Sequence, residues 1–145
     1  MFHEMDEGDY TLPTNLIAEN HLRKSGNEEP VGRNLRRKAM NAKDYETARR
    51  FKKLLQEKVK LHQAIVFGSR ARGDADPESD MDVLVVLDEP RTSEKREIVS
   101  SCAWEIGFDA GIVVASVVFS REEWENGPEY YSPFAETVRS EGIPL

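Results

Sequence analysis

Two aspartates, Asp80 and Asp82, head the apolar run "DMDVLVVLD". If that run is a strand, alternation puts both carboxylates on one face, about 7 Å apart at Cα. Two anions held that close repel each other unless a cation lies between them. Mg2+ suits such a pair, because it takes hard oxygen ligands and keeps positions open for substrate phosphates. Upstream, Gly68 and Ser69 close a shorter apolar run, "QAIVFG". Glycine lets a phosphate approach the backbone, and the N–H groups that follow, with the Ser69 hydroxyl, can donate to it. Arg70 and Arg72 can offset phosphate charge. Asp74, Asp76 and Glu78, in the connection between, read as loop acids facing solvent. A bare Gly-Ser is an ordinary strand-ending turn, and a bare Asp-x-Asp an ordinary loop cap. One closing a strand and the other opening the next is the layout for metal-assisted phosphoryl or nucleotidyl transfer.

The elements that must position these residues follow from periodicity. Residues 63–68 and 80–88 predict two strands; the second is apolar on both faces after Asp82 and therefore central and covered on both sides. Residues 69–79 are turn-rich, beginning with one helical turn capped by Ser69 and punctuated by Gly73 and Pro77. Residues 41–60 carry the strongest helix signal: Tyr45, Ala48, Phe51, Leu55 and Val59 recur at steps of three and four, with Lys and Arg between. A helix is expected over 92–107, capped by Thr92 or Ser93, then a third strand over 110–120. Short helices are expected from 121 and over 132–142, the latter stopped by Gly142 and Pro144. Upstream, residues 1–13 read as a loose acidic tail and 14–26 as a short helix capped by Thr14. Residues 27–32 read as a linker. The division is an N-terminal extension (1–40) and one domain (41–145). Its expected class is α+β, a two-layer arrangement of a small mixed sheet with helices packed mainly on one face.

Composition narrows the function classes. The chain has 145 residues, 32% of them charged, and a net charge of -7. No window reaches the roughly 18 apolar residues of a membrane span, and the acidic start lacks the apolar core of a secretory signal. Cys102 is the only cysteine, which excludes an internal disulfide and fits a reducing cytoplasm. Residues 31–60 hold eleven Lys or Arg against three acids, whereas 62–145 hold seven against seventeen. The basic stretch can meet nucleic acid or an acidic partner, or serve as a solvated helix face. The acidic half argues against nucleic acid as the main ligand unless metal ions intervene.

The stretch "GSRARGDADPESDMDVLVVL" resembles the signature of the minimal nucleotidyltransferases, small relatives of the polymerase-β-like superfamily: Gly-Ser, ten residues, Asp-x-Asp, then an apolar strand. The likeness covers about residues 45–120 and continues into "VVFSREEWE" and "SPFAETVRSEGIPL". Members are often encoded beside a HEPN-domain protein, and some act as antitoxins that transfer AMP to that toxin. The resemblance implies a nucleotidyltransferase fold, with Gly68 and Ser69 on the triphosphate and Asp80 and Asp82 as catalytic, Mg2+-ligating carboxylates. A nucleoside triphosphate, ATP, would be substrate, and a HEPN-type protein the partner and acceptor. No membrane partner is implied, and the oligomeric state stays open.

Active members carry a third carboxylate on the third strand. The corresponding "VASVV" has none, and Ser116 or Val117 occupies the place. Asp109 is expected at the far end of that strand, about 20 Å away; Glu122 and Glu123 fall in a solvent-facing helix start. Two alternatives follow. One is an active nucleotidyltransferase; the other is a nucleotide- or partner-binding module on the same fold with its chemistry lost. His3, His21 and His62 are scattered and read as surface or structural residues. Trp104 and Trp124 read as core or interface anchors, with a base pocket as the alternative. "GPEYYSPF" reads as a segment packed across the sheet's edge, with a partner surface or lid as the alternative.

Overall fold

A computed structural model describes residues 39–145. The tail, short helix and linker expected before residue 33 lie outside the described residues, as do His3 and His21. The first described helix, α1 (Ala42–Lys58), starts where Asn41 accepts hydrogen bonds from the N–H groups of Lys43 and Asp44 at 2.7 and 3.3 Å. This side chain satisfies donors that the first turn leaves orphaned. Ala48, Phe51 and Leu55 are fully buried along the helix, as the periodicity predicts, and Val59 is buried just past its end.

Strand β1 (Leu61–Phe67) runs antiparallel to β2 (Met81–Leu87), with Phe67 opposite Asp82. Between them lies a single helical turn, α2 (Ser69–Arg72). Helix α3 (Ser93–Ala110), capped by Thr92, leads to β3 (Val114–Ser120), which lies parallel to β2. Helix α4 (Arg121–Asn126), a 3₁₀ turn (Pro128–Tyr131) and α5 (Pro133–Glu141) complete the order. A two-residue strand, β4 (Ile143–Pro144), then pairs antiparallel with β1. The sheet order is β3-β2-β1-β4, a mixed sheet as expected.

Strand β2 is buried on both faces. Met81, Val83, Val85 and Leu87 pack with Phe51 and Leu55 of α1 and with Val99, Cys102 and Ile106 of α3. Leu84 and Val86 point the other way, onto Ile65, Trp124, Ala135 and Val138. The two long helices thus cover one face, and α4 and α5 cover the other with a smaller aromatic core. Each fully buried Val or Leu contributes about 1.5–3 kcal/mol, which makes β2 the main anchor of the fold.

Three expectations need correction. Gly107 does not end α3; a Cβ there would lie 2.5 Å from the Ile112 carbonyl oxygen, so glycine lets the helix pack against the following chain. Gly111, at φ 76°, caps the helix instead, and β3 begins at 114 rather than 110. Of the two anchor roles read for Trp104, core or interface, the structure removes the core one: it is 68% exposed and stacked on Phe108, whereas Trp124 is buried. Strand β4 has no signal in the sequence, because a residue pair containing Pro144 lacks strand character and proline is tolerated only at a sheet edge.

Candidate nucleotide and metal site

The site is built where β1 hands over to β2. Gly68 has φ 82° and ψ -161°, a conformation open essentially to glycine alone. A Cβ on Gly68 would lie 2.6 Å from Oδ2 of Asp82. The Gly68 backbone therefore rests directly against the second aspartate. The Ser69 turn follows, and Gly73, also left-handed at φ 82°, closes it by donating its N–H to the Ser69 carbonyl at 3.0 Å. The connection so formed brings Asp80, exposed, to the residue before β2 and Asp82, half-buried, into it.

Asp82 shares its sheet face with Leu84 and Val86, at the end of the aromatic core. Its cross-strand partner Phe67 meets Phe134 edge-on at 5.3 Å. Burial pushes the Asp82 carboxyl above its ordinary range, and the neighbouring Asp80 charge pushes it further.

The arginines divide. Arg70 is 7% exposed and does not face solvent as a phosphate ligand would. Its guanidinium pairs with both oxygens of Asp44 at 3.0 and 3.1 Å and donates to the carbonyls of Pro77 at 2.9 Å and Ser79 at 2.8 Å. Its expected place among the phosphate ligands is therefore corrected: it ties the loop before Asp80 to α1. Arg72 is half-exposed, and its guanidinium pKa is raised by the hydrogen bond to Asp74 and next by that to Glu141.

Glu141, at the end of α5, is the site residue that the sequence did not reveal. Its carboxylate accepts the Gly68 N–H at 3.0 Å and pairs with Arg72 at 3.1 Å. Nothing in its own surroundings distinguishes it from a helix-surface glutamate, and its partners lie about seventy positions upstream.

No third acid joins the pair from β3. Ala115 stands beside Asp82 in the parallel register, Val117 beside Leu84 on the same face, and Ser116 beside Val83 on the opposite face. Of the two positions expected to matter, only Val117 is on the aspartate's face. Asp109 lies on α3, not on a strand, and pairs with Arg50 at 2.9 Å. Glu123 closes a capping box with Ser120 and binds Arg91 at 3.0 Å; Glu122 bonds Asn126. Among the described residues no group of three or more His, Cys, Asp or Glu is placed to hold a metal ion. His62 lies near Glu125, at 3.7 Å, far from the aspartates in register. Tyr131 is exposed, whereas Phe134 from the same Pro-rich segment packs onto the aromatic face of the sheet rather than across its edge.

Residues 48–137 match the nucleotidyltransferase domain family. The chain belongs to that family. Two proteins of Methanocaldococcus jannaschii are similar to it. One, named "Putative protein adenylyltransferase MJ0141", is 34% identical over 64 residues, 44% of this chain and 65% of its own length. The other, with the same designation and the number MJ1379, is 35% identical over 71 residues, 47% of this chain and 71% of its own length. The similarity thus spans about two thirds of these relatives. Among solved structures, the nucleotidyltransferase resembles a spectinomycin adenyltransferase of Enterococcus faecialis crystallised with ATP and spectinomycin. That likeness has 28% identity and a TM-score of 0.46, over 57% of this chain and 36% of the other. A toxin-antitoxin complex with AMP-PNP is similar at 17% identity and a TM-score of 0.49, over 67% and 70% of the two chains. No helix among the described residues is long and apolar enough to cross a membrane.

Proposed function

We propose that this chain is a Mg2+-dependent nucleotidyltransferase that moves an NMP, AMP from ATP, onto a hydroxyl of a partner protein, as in minimal nucleotidyltransferase and HEPN pairs. One observation carries the proposal: the Gly68 backbone abuts Asp82 with no room for a Cβ, so a phosphate at Gly68–Ser69 and a metal at Asp80–Asp82 would be neighbours. The donor set fits Mg2+. Two carboxylates converge, and the raised pKa of Asp82 reflects burial and repulsion that a divalent cation would relieve. Mg2+ held there would neutralise phosphate charge and favour in-line attack on the α-phosphate. The protein's own part is positioning. Gly68 and Ser69 would seat the triphosphate, Arg72 would add a cation at its edge, and Arg70 holds the loop that presents Asp80. The unit that does this is residues 41–145, working in the cytoplasm.

The absence of an acid at Ala115 and Val117 supports a second reading, a nucleotide- or partner-binding module that has lost turnover. A fixed general base is commonly worth about 10²–10⁴-fold, so even an active form would be slow. Incubation with α-labelled ATP, Mg2+ and the protein encoded beside it separates the two. The enzyme reading expects label on the partner, lost in Asp80→Asn/Asp82→Asn protein. Label that survives the double substitution overturns the site; nucleotide binding with no label on any acceptor favours the binding module.

A further inference from the structure

Strand β3 forms one edge of the sheet among the described residues. Its parallel pairing with β2 fixes which backbone groups face outward. The Met81 N–H bonds the Val113 carbonyl, so in this register residues 113, 115, 117 and 119 address β2. Residues 114, 116, 118 and 120 turn their N–H and C=O groups to the free side. Two of these are already covered. Gly107 packs beside the Val114 nitrogen, and the Ser120 N–H donates to Glu123 at 2.8 Å. Ser116 and Val118 remain, in a seven-residue strand, VASVVFS, without a charge, a proline or a bulge. Such an edge lacks the devices that keep strands from pairing with other chains.

Beside this edge runs an apolar helix flank. The α1 side of α3 carries the Asp109–Arg50 pair, and its other side carries Gly107 against β3. Trp104 lies on the flank away from α1, stacked at 5.0 Å on Phe108; they are 68% and 72% exposed. Val113, just before β3, is 61% exposed. Two large exposed aromatic groups stacked together beside an open sheet edge mark a contact surface.

We propose that this surface binds a second copy of the chain, β3 pairing antiparallel with β3 of its partner about a two-fold axis at Val117. That register sets Ser116 opposite the partner's Val118 and Val118 opposite the partner's Ser116, so both copies' open N–H and C=O groups are satisfied. No other sequence is required, because the uncharged edge is complementary to itself. The helices agree with it. From Gly107 beside Val114, a rise of about 1.5 Å per helical residue against about 3.3 Å per strand residue sets Trp104 level with residues 115–116. The two-fold axis then places Trp104 opposite the stretch from Arg96 to Ser100 of the other copy. The small Ser100 leaves room there for the indole, and the Arg96 guanidinium can lie over its face. The result is a continuous eight-stranded sheet, with the two α3 helices side by side above the junction.

Sedimentation equilibrium of the full chain, with amide exchange at high and low protein concentration, tests the proposal. The wild type is expected to have twice the monomer mass, with the Ser116 and Val118 amides protected at least tenfold more at high concentration. Trp104→Lys is expected to raise the dimer dissociation constant at least tenfold while its circular dichroism is unchanged. If that variant fails to fold, the wild-type exchange decides alone. A monomeric wild type at 200 µM overturns the proposal. So does a dimer in which the two amides exchange equally fast at both concentrations, or one that Trp104→Lys leaves unaltered.

Discussion

The Glu141 carboxylate accepts a hydrogen bond from the Gly68 N–H at 3.0 Å, the donor that a bound phosphate would use in the proposed site. The same carboxylate holds Arg72 at 3.1 Å. A negative group in that place opposes another and engages the nearest cation. Glu141→Gln keeps a carbonyl for Gly68 and removes the charge. It is expected to tighten Mg2+–ATP binding about two- to fivefold, the scale of a half-exposed ion pair. Isothermal titration of both proteins measures this; unchanged or weaker binding would show that Glu141 supports the cradle and does not compete for it.

Gly68 tolerates no side chain. Gly68→Ala combines a backbone conformation that costs about 1–3 kcal/mol for other residues with a Cβ 2.6 Å from Asp82 Oδ2. Urea denaturation should show that loss, and nucleotide binding should fall with it. Alanine at Gly111, where a Cβ would have open space but φ is 76°, should cost only the conformational part.

Asp82 makes the metal-free protein sensitive to pH. Its folded pKa is raised, so the folded state holds the proton more tightly than the unfolded state does. The stability this contributes is full below the ordinary carboxylate pKa and lost as pH rises through the raised folded value. Asp82→Asn should therefore melt above the wild type at pH 7 without metal and alike at the acid end. With Mg2+ and ATP the order should reverse, since only the wild type gains from ligand. Differential scanning fluorimetry across pH reads both signs, and a variant less stable than wild type at pH 7 without metal would contradict the account.

Arg70 and Asp44 form a buried pair, at 7% and 15% side-chain exposure. Removing one partner strands the other, which typically costs about 3–5 kcal/mol. Arg70→Ala should lose that much in chemical denaturation. In whatever folded protein remains, amide protection over residues 74–80 should fall as well. Lysine at 70 should recover little, because one ammonium cannot reach Asp44 and the Pro77 and Ser79 carbonyls together.

The expectations that held were local ones. The apolar runs that end at Gly68 and begin at Asp82 mark β1 and β2, and the unbroken run in the second marks it as central and covered on both faces. The same runs frame Gly68, Ser69, Asp80 and Asp82 as the proposed site. What the sequence concealed is partnership at a distance. Arg70 looks like a phosphate ligand because it follows Gly-Ser, yet its partner is Asp44, twenty-six positions earlier. Glu141 is an ordinary helix-end acid until the fold brings it to Gly68. Gly107 and Gly111 are equivalent as letters, and only the close approach of Ile112 and Val114 decides which one ends α3. Trp104 fits an apolar helical position, but the stripe that packs inward is Val99, Cys102, Ala103 and Ile106.

Asp44 and Glu141 come from nearly opposite ends of the described chain, and they meet around the short loop after Gly68 through Arg70 and Arg72. The full set of contacts is complete only once α1 and α5 are both docked on the β1–β2 pair. The loop therefore registers damage to either helix. A cut between α4 and α5 should leave the main core intact while it releases the hold on Gly68. Ligand affinity is then a more sensitive gauge of the chain's integrity than its melting temperature.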